Sequence, residues 1–100
     1  MKLIKKKIAP KWYAQQVAGL KPWELRLNDC DYQKGDFLIL QEWERGGYTE
    51  RELPVVITNV ADGLPYVPDD VVILTTREAT PNEKDLIRKM IKEEKENDYK

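Results

Sequence analysis

Residues 19–28 read GLKPWELRLN, and they hold the end of one element and the start of another. Gly19 sits where a helix stops, because a left-handed C-terminal cap favours glycine. Pro22 cannot continue a helix and biases Lys21 toward extended backbone. From Trp23 the alternation is strict. Trp23, Leu25 and Leu27 take one face, and Glu24, Arg26 and Asn28 take the other. The expectation is a strand anchored in the core by its apolar face, with the charged face looking outward and Lys21 reaching the same side.

Upstream, LIKKKI (3–8) suggests a short strand through its isoleucines. Pro10 then suits a first helical turn, where its missing N–H would be unpaired anyway. Tyr13 and Val17 at i,i+4, with Ala14 and Ala18, give that helix one apolar stripe. Downstream, DCDYQKGD reads as turns. DFLILQEWE is apolar on both faces at its start, which marks a central strand. RGG is a hairpin connection. TERELPVVITNVAD is a long strand in which Pro54 implies an edge, a bulge or a break. GLPYVPDD is a loop, and VVILTT a short buried strand.

Thr80, Pro81 and Glu83 form a capping-box start for a C-terminal helix. Its stripe is Leu86, Ile87, Met90 and Ile91, and it is expected to fray from about Glu93. The order is β-α-β-β-β-β-α. It predicts an α+β protein: a small mixed β-barrel over residues 1–79, with a short N-terminal helix. Residues 80–100 add the amphipathic C-terminal helix and its frayed charged tail to the same domain.

One hundred residues is the size of a single domain. No apolar run approaches the roughly 20 residues of a membrane span. The lysine-interrupted N-terminus is not expected to be a signal peptide. The lone Cys30 suits a reducing cytoplasm and cannot make an intrachain disulfide. The sequence has no histidine, which removes Ser-His and Cys-His nucleophiles and imidazole metal sites. No cofactor or metal is expected. Net charge is −1, yet residues 1–40 carry eight basic and four acidic residues while 41–100 carry nine and fourteen. The N-terminal part is therefore suited to meeting an anion.

GLKPWELR resembles the G-x-K-x-x-E-x-R signature of the ASCH domain, a branch of the PUA-like β-barrel superfamily. KGDFLILQEWE is similar to that family's K-x-G-D strand opening, here Lys34-Gly35-Asp36. YTERELPVVITNV and VPDDVVILTT resemble its following and closing strands. The likeness runs from about Leu3 to Thr76 and is to a compact group of phage and bacterial ASCH-like proteins of unknown function. It implies a β-barrel that binds RNA or a nucleotide in a cleft floored by the motif.

The residue chemistry is compatible with that. Arg26 offers a planar fork for phosphate or a base edge, Lys21 a mobile point charge, and Glu24 an acceptor for an exocyclic amine. Lys5, Lys6, Lys7, Lys11 and Lys34 are candidates for phosphate contacts, Asn28 for a polar contact, and Trp12 and Tyr32 for stacking. Tyr13 is expected in the core. Asp29, Asp31 and Asp36 read as turn residues rather than cation ligands, and Cys30 as incidental. The plain alternative is that Glu24 and Arg26 form a surface ion pair contributing about 0–1 kcal/mol.

Three other functions remain open to this sequence, two of them on the same residues. Some relatives of the ASCH fold deacetylate acetylcytidine with the motif lysine, a hydroxyl two residues before the motif arginine, and a distant glutamate. Lys21 and Arg26 match. Glu24 stands where the hydroxyl belongs, and the region of the distant glutamate is only ADGLPYVPDD. A metal-independent ribonuclease using Lys21, Arg26 and Tyr32 is a second possibility. Catalysis is thus left open, with Lys21, Glu24 and Arg26 as its candidate residues. A protein partner docked on the C-terminal helix is the third.

Overall fold

The computed structural model describes residues 1–97, and side chains as far as 94. Its elements are β1 (Leu3–Ile8), α1 (Pro10–Val17), β2 (Trp23–Leu27), β3 (Phe37–Glu44), β4 (Gly47–Ala61), β5 (Val71–Glu78) and α2 (Pro81–Asn97), in the expected order. The five strands make one sheet, β1-β3-β4-β5-β2, in which β1 runs parallel to β3 and the other neighbours are antiparallel. The sheet curls into a half-barrel. It does not close: among the described residues no ladder joins β1 to β2, and a seam lies between these two edges.

β3 is central because both of its faces are covered. Leu38 and Leu40 turn into the curl with Ile8, Val55, Ile57, Val72 and Leu74. Phe37 and Ile39 pack outside with Val56, Ala79 and Ile87, with Met90 and Ile91 beside them. These outer contacts dock α2. Leu86, at 40% exposure, stays on the rim of the stripe the sequence assigns to it. The helix continues past Glu93 to Asn97, beyond the expected fraying point. The tail at 98–100 lies outside the described residues.

Local chemistry sets the boundaries. α1 ends in a Schellman arrangement: Leu20 N–H donates to the Gln15 carbonyl at 2.9 Å and Gly19 N–H to that of Gln16 at 3.0 Å, with Gly19 at φ 74°. Arg45 and Gly46 both have positive φ, which gives the β3–β4 hairpin its tight turn. Pro54 lies within the long strand, in register with Ile39. Its carbonyl accepts from Ala79 N–H at 3.0 Å, just past the end of β5. Its ring nitrogen points to that same side, so no bond to β3 is lost. Asp36 is a turn residue as read, accepting the N–H groups of Lys2 at 2.9 Å and Gln33 at 3.0 Å.

The α2 capping box is formed. Thr80 N–H donates to Glu83 Oε1 at 2.9 Å, and Glu83 N–H to Thr80 Oγ1 at 3.2 Å. Arg77 adds a fork onto both Glu83 oxygens, at 2.7 and 3.0 Å. These donors, Arg77 first, hold the Glu83 carboxyl down at about 2. A carboxyl depressed when folded stabilises the fold above its ordinary value of 4.5 and loses that contribution as pH falls toward 2. Thermal melts should therefore separate Glu83→Gln from the parent at neutral pH and bring them together near pH 2. A gap that persists at pH 2 would assign the effect to packing instead.

Candidate nucleotide cleft

β2 alternates as expected, but its faces are reversed. Trp23, Leu25 and Leu27 are 44%, 54% and 60% exposed, while Glu24 is only 4% exposed. The cause is register. Glu24 pairs with Leu74 and Arg26 with Val72, both core residues of the curl, so the charged side chains share the inner face. Hydrogen bonds just outside the strand fix this pairing: Thr76 N–H to the Pro22 carbonyl at 3.0 Å and Asn28 N–H to that of Asp70 at 2.8 Å. A slip of one residue would exchange the faces.

The result is an ionic trio at the seam, with Lys21 and Glu24 buried and the Arg26 side chain one-fifth exposed. Glu24 Oε1 accepts from Lys21 Nζ at 2.9 Å and Gln16 Nε2 at 3.1 Å, and Oε2 lies 2.9 Å from Arg26 Nη2. Lys21 Nζ also donates to the Trp23 carbonyl at 2.8 Å, so it is locked rather than mobile. Its ammonium lies 4.4 Å from the centroid of the Trp23 ring and 5.6 Å from that of Trp12. Arg26 Nη2 crosses the seam to the Lys7 carbonyl at 2.9 Å and so pins β2 to β1. Arg26 Nε is buried with no hydrogen-bond partner.

Two residues that sequence reasoning missed complete the support. Gln16, on the buried side of α1, bridges Glu24 and the Trp23 carbonyl and accepts from Thr76 Oγ1 at 3.4 Å. Gln16 follows Trp12 by four residues, so the helical period places them on one side. Polarity hid it, because the stripe was traced through Val17, which is exposed. Thr76 enters only through strand pairing and carries no local signal.

Above the trio lies a cleft of about 390 Å³ lined by Lys7, Ile8, Ala9, Trp12, Lys21, Trp23, Glu24, Leu25 and Arg26. Its volume falls in the range of small-molecule sites. None of these nine residues carries a hydroxyl, so the deacetylase nucleophile has no substitute here. Glu24, occupied by three donors, is not presented to a base edge.

The remaining candidates separate. The Lys7 ammonium sits 3.8 Å over the Trp43 ring, and Lys11 lies over Trp12. Lys5 is in register with Ile39, on the outer face that carries α2. Lys6 pairs with Asp29 at 3.3 Å. Tyr32 is core rather than a stacking surface, 3% exposed, and burial pushes its hydroxyl up to about 12. It does not share the cleft with Lys21, as the ribonuclease reading requires. Asn28, Tyr32 and Lys34 instead line a separate hollow of about 340 Å³ with Asp31 and Asp62. No helix among the described residues is long and apolar enough to cross a membrane.

The trio and both cleft tryptophans lie within the segment that matches a known family. An uncharacterized 12.9 kDa protein in the GpA 3′ region of Escherichia phage P2 is 35% identical over 72 residues, 72% of this chain and 66% of that protein. The match thus spans just under two thirds of the relative's length. A family described as a domain of unknown function, DUF3850, matches residues 4–76, which hold all five strands but for the ends of β1 and β5, and none of α2. The chain belongs to the DUF3850 family.

Proposed function

We propose that this protein binds a nucleotide or single-stranded RNA in the cleft over Lys21, Glu24 and Arg26, as a PUA-like domain of the ASCH type. The observation that carries the reading is Arg26 Nε, a buried donor with no acceptor, on the wall of a cleft flanked by two half-exposed tryptophans. A buried polar atom left unpaired is rare and costly. A ligand oxygen that draws the Arg26 side chain toward the cleft would supply the missing acceptor, and phosphate suits a guanidinium best. Trp12 and Trp23 offer ring faces for a base.

Burial of the trio supports the same conclusion. Taking Lys21 and Glu24 out of water, and Arg26 partly, costs more than their mutual attraction readily returns. β2 has three apolar side chains within reach of that position, and it turns them outward. Glu24 is assigned a positioning role: it holds Lys21 between the rings and Arg26 across the seam.

Fluorescence anisotropy with a labelled single-stranded RNA tests the reading. Binding should strengthen as salt is lowered, because the contact is partly ionic. Arg26→Ala should weaken it by at least about tenfold, the scale of a lost charged hydrogen bond. No binding at low salt, or binding indifferent to Arg26→Ala, overturns the proposal.

A further inference from the structure

The cleft does not end at Arg26. A second hollow of about 220 Å³ adjoins it, lined by Lys6, Leu25, Arg26, Leu27, Asp29 and Tyr32. Leu25 and Arg26 line both cavities. Tyr32 in turn is common to this hollow and the third one, with Asn28 and Lys34. The first two cavities therefore adjoin along β2, and the third follows beyond its end, beside the turn that starts at Asn28.

Charge changes along the row. The first two together hold Lys6, Lys21 and Arg26 against Glu24 and Asp29, a net +1 with the Lys7 ammonium left aside on Trp43. The third holds Lys34 against Asp31 and Asp62, a net −1. A polyanion is favoured over the first two and repelled at the third. The second hollow also explains an oddity of β2. Leu25 and Leu27 are large, exposed and adjacent on one face, which is an apolar floor of the kind that a flat ring covers.

We propose that the cleft and this second hollow are consecutive nucleotide subsites joined at Arg26, so that the ligand is a dinucleotide step of a single strand. The proposal rests on the nucleotide-binding reading above and extends it. The first base lies by Trp12 and Trp23, the bridging phosphate at Arg26, and the second base on Leu25 and Leu27. Asp29 limits the second subsite by holding Lys6 to itself: the two groups lie 3.3 Å apart, and Cys30 first, then Lys6, keep the Asp29 carboxyl below its usual range.

Calorimetric titration with nucleoside 5′-monophosphates, dinucleoside monophosphates such as UpU and ApA, and the matching trinucleotides tests this. A mononucleotide carries more charge than a dinucleoside monophosphate, so charge alone predicts the reverse of the expected order. The dinucleotide should bind about tenfold tighter than the mononucleotide, the worth of one stacked base. The trinucleotide should gain less than about threefold more, since the third hollow repels its phosphate. Leu27→Ala, at an exposed position outside the first cleft, should erase most of the dinucleotide advantage and leave mononucleotide affinity unchanged. Asp29→Asn should raise dinucleotide affinity by releasing Lys6. Equal affinities for mono- and dinucleotide, or a dinucleotide advantage indifferent to Leu27→Ala, overturn the two-subsite proposal alone. Binding of none of the probes overturns the nucleotide reading itself.

Discussion

Glu24→Gln lowers the free energy of unfolding by about 3–5 kcal/mol, the cost of removing one partner from a buried ionic cluster. At about 4–8 °C per kcal/mol for a domain of this size, the melting temperature falls by at least about 12 °C. The loss is large because the carboxylate accepts from Lys21, Gln16 and Arg26 together. Without its charge, the buried Lys21 and the partly buried Arg26 remain near each other with no counter-charge. The amide also turns a donor toward Lys21 or Arg26, which only donate. Replacing all three charges at once behaves differently. Lys21→Met, Glu24→Leu and Arg26→Met combined should recover the lost stability, and even exceed the parent by about 1–4 kcal/mol, as apolar replacements of buried ion clusters often do. Urea unfolding of the single and triple variants measures both. If the triple variant is no more stable than Glu24→Gln, the trio is a structural necessity, and its burial ceases to be an argument for a site.

What the sequence revealed and what it hid divide along local and non-local causes. Gly19, the Thr80–Glu83 capping box and the Arg45–Gly46 turn act within a few residues, so reading neighbours was sufficient. β3 was legible as central because its apolar residues fill both faces, a pattern independent of its partners. β2 was legible as a strand but not as to which face is inward. Alternation gives a period and not a direction. The direction comes from Glu24 meeting Leu74 and Arg26 meeting Val72, some fifty residues away in the chain. Assigning apolar residues inward is the reasonable default, and it fails here because the inner face of this edge strand looks into a seam instead of a closed core. The same failure hid Trp23 as a cleft residue. The site triad itself was visible because a motif spacing survives a change of face, whereas Tyr32 was misassigned because an aromatic beside turn residues gives no hint of burial. The barrel expected from the sequence takes the form of a curled half-barrel, whose seam is bridged by side chains, Arg26 of β2 reaching the Lys7 carbonyl and Asp29 of the following turn meeting Lys6 of β1.

On the proposed reading, Trp12→Ala and Trp23→Ala should each weaken binding of a nucleotide by about 5- to 150-fold, the range measured for base–aromatic stacking. The two rings are the side chains best placed for this. They are 41% and 44% exposed, they line the same cleft, and the Lys21 ammonium lies near both of them. That exposure also makes the test clean. Neither ring belongs to the two core clusters, so both variants should melt close to the parent. Trp12→Phe and Trp23→Phe keep a ring and should restore most of the affinity. The chain has three tryptophans, and the third reports on the fold rather than the cleft. Trp43 stacks on Tyr48 at 6.4 Å, with the Lys7 ammonium 3.8 Å over its ring. Intrinsic fluorescence should therefore be quenched by nucleotide in the parent and in either single variant, and not in the double variant Trp12→Ala/Trp23→Ala, where only Trp43 remains. Affinity unchanged by both single substitutions would mean that the rings merely shield Lys21, and the cleft would then be the packed mouth of a buried ion cluster.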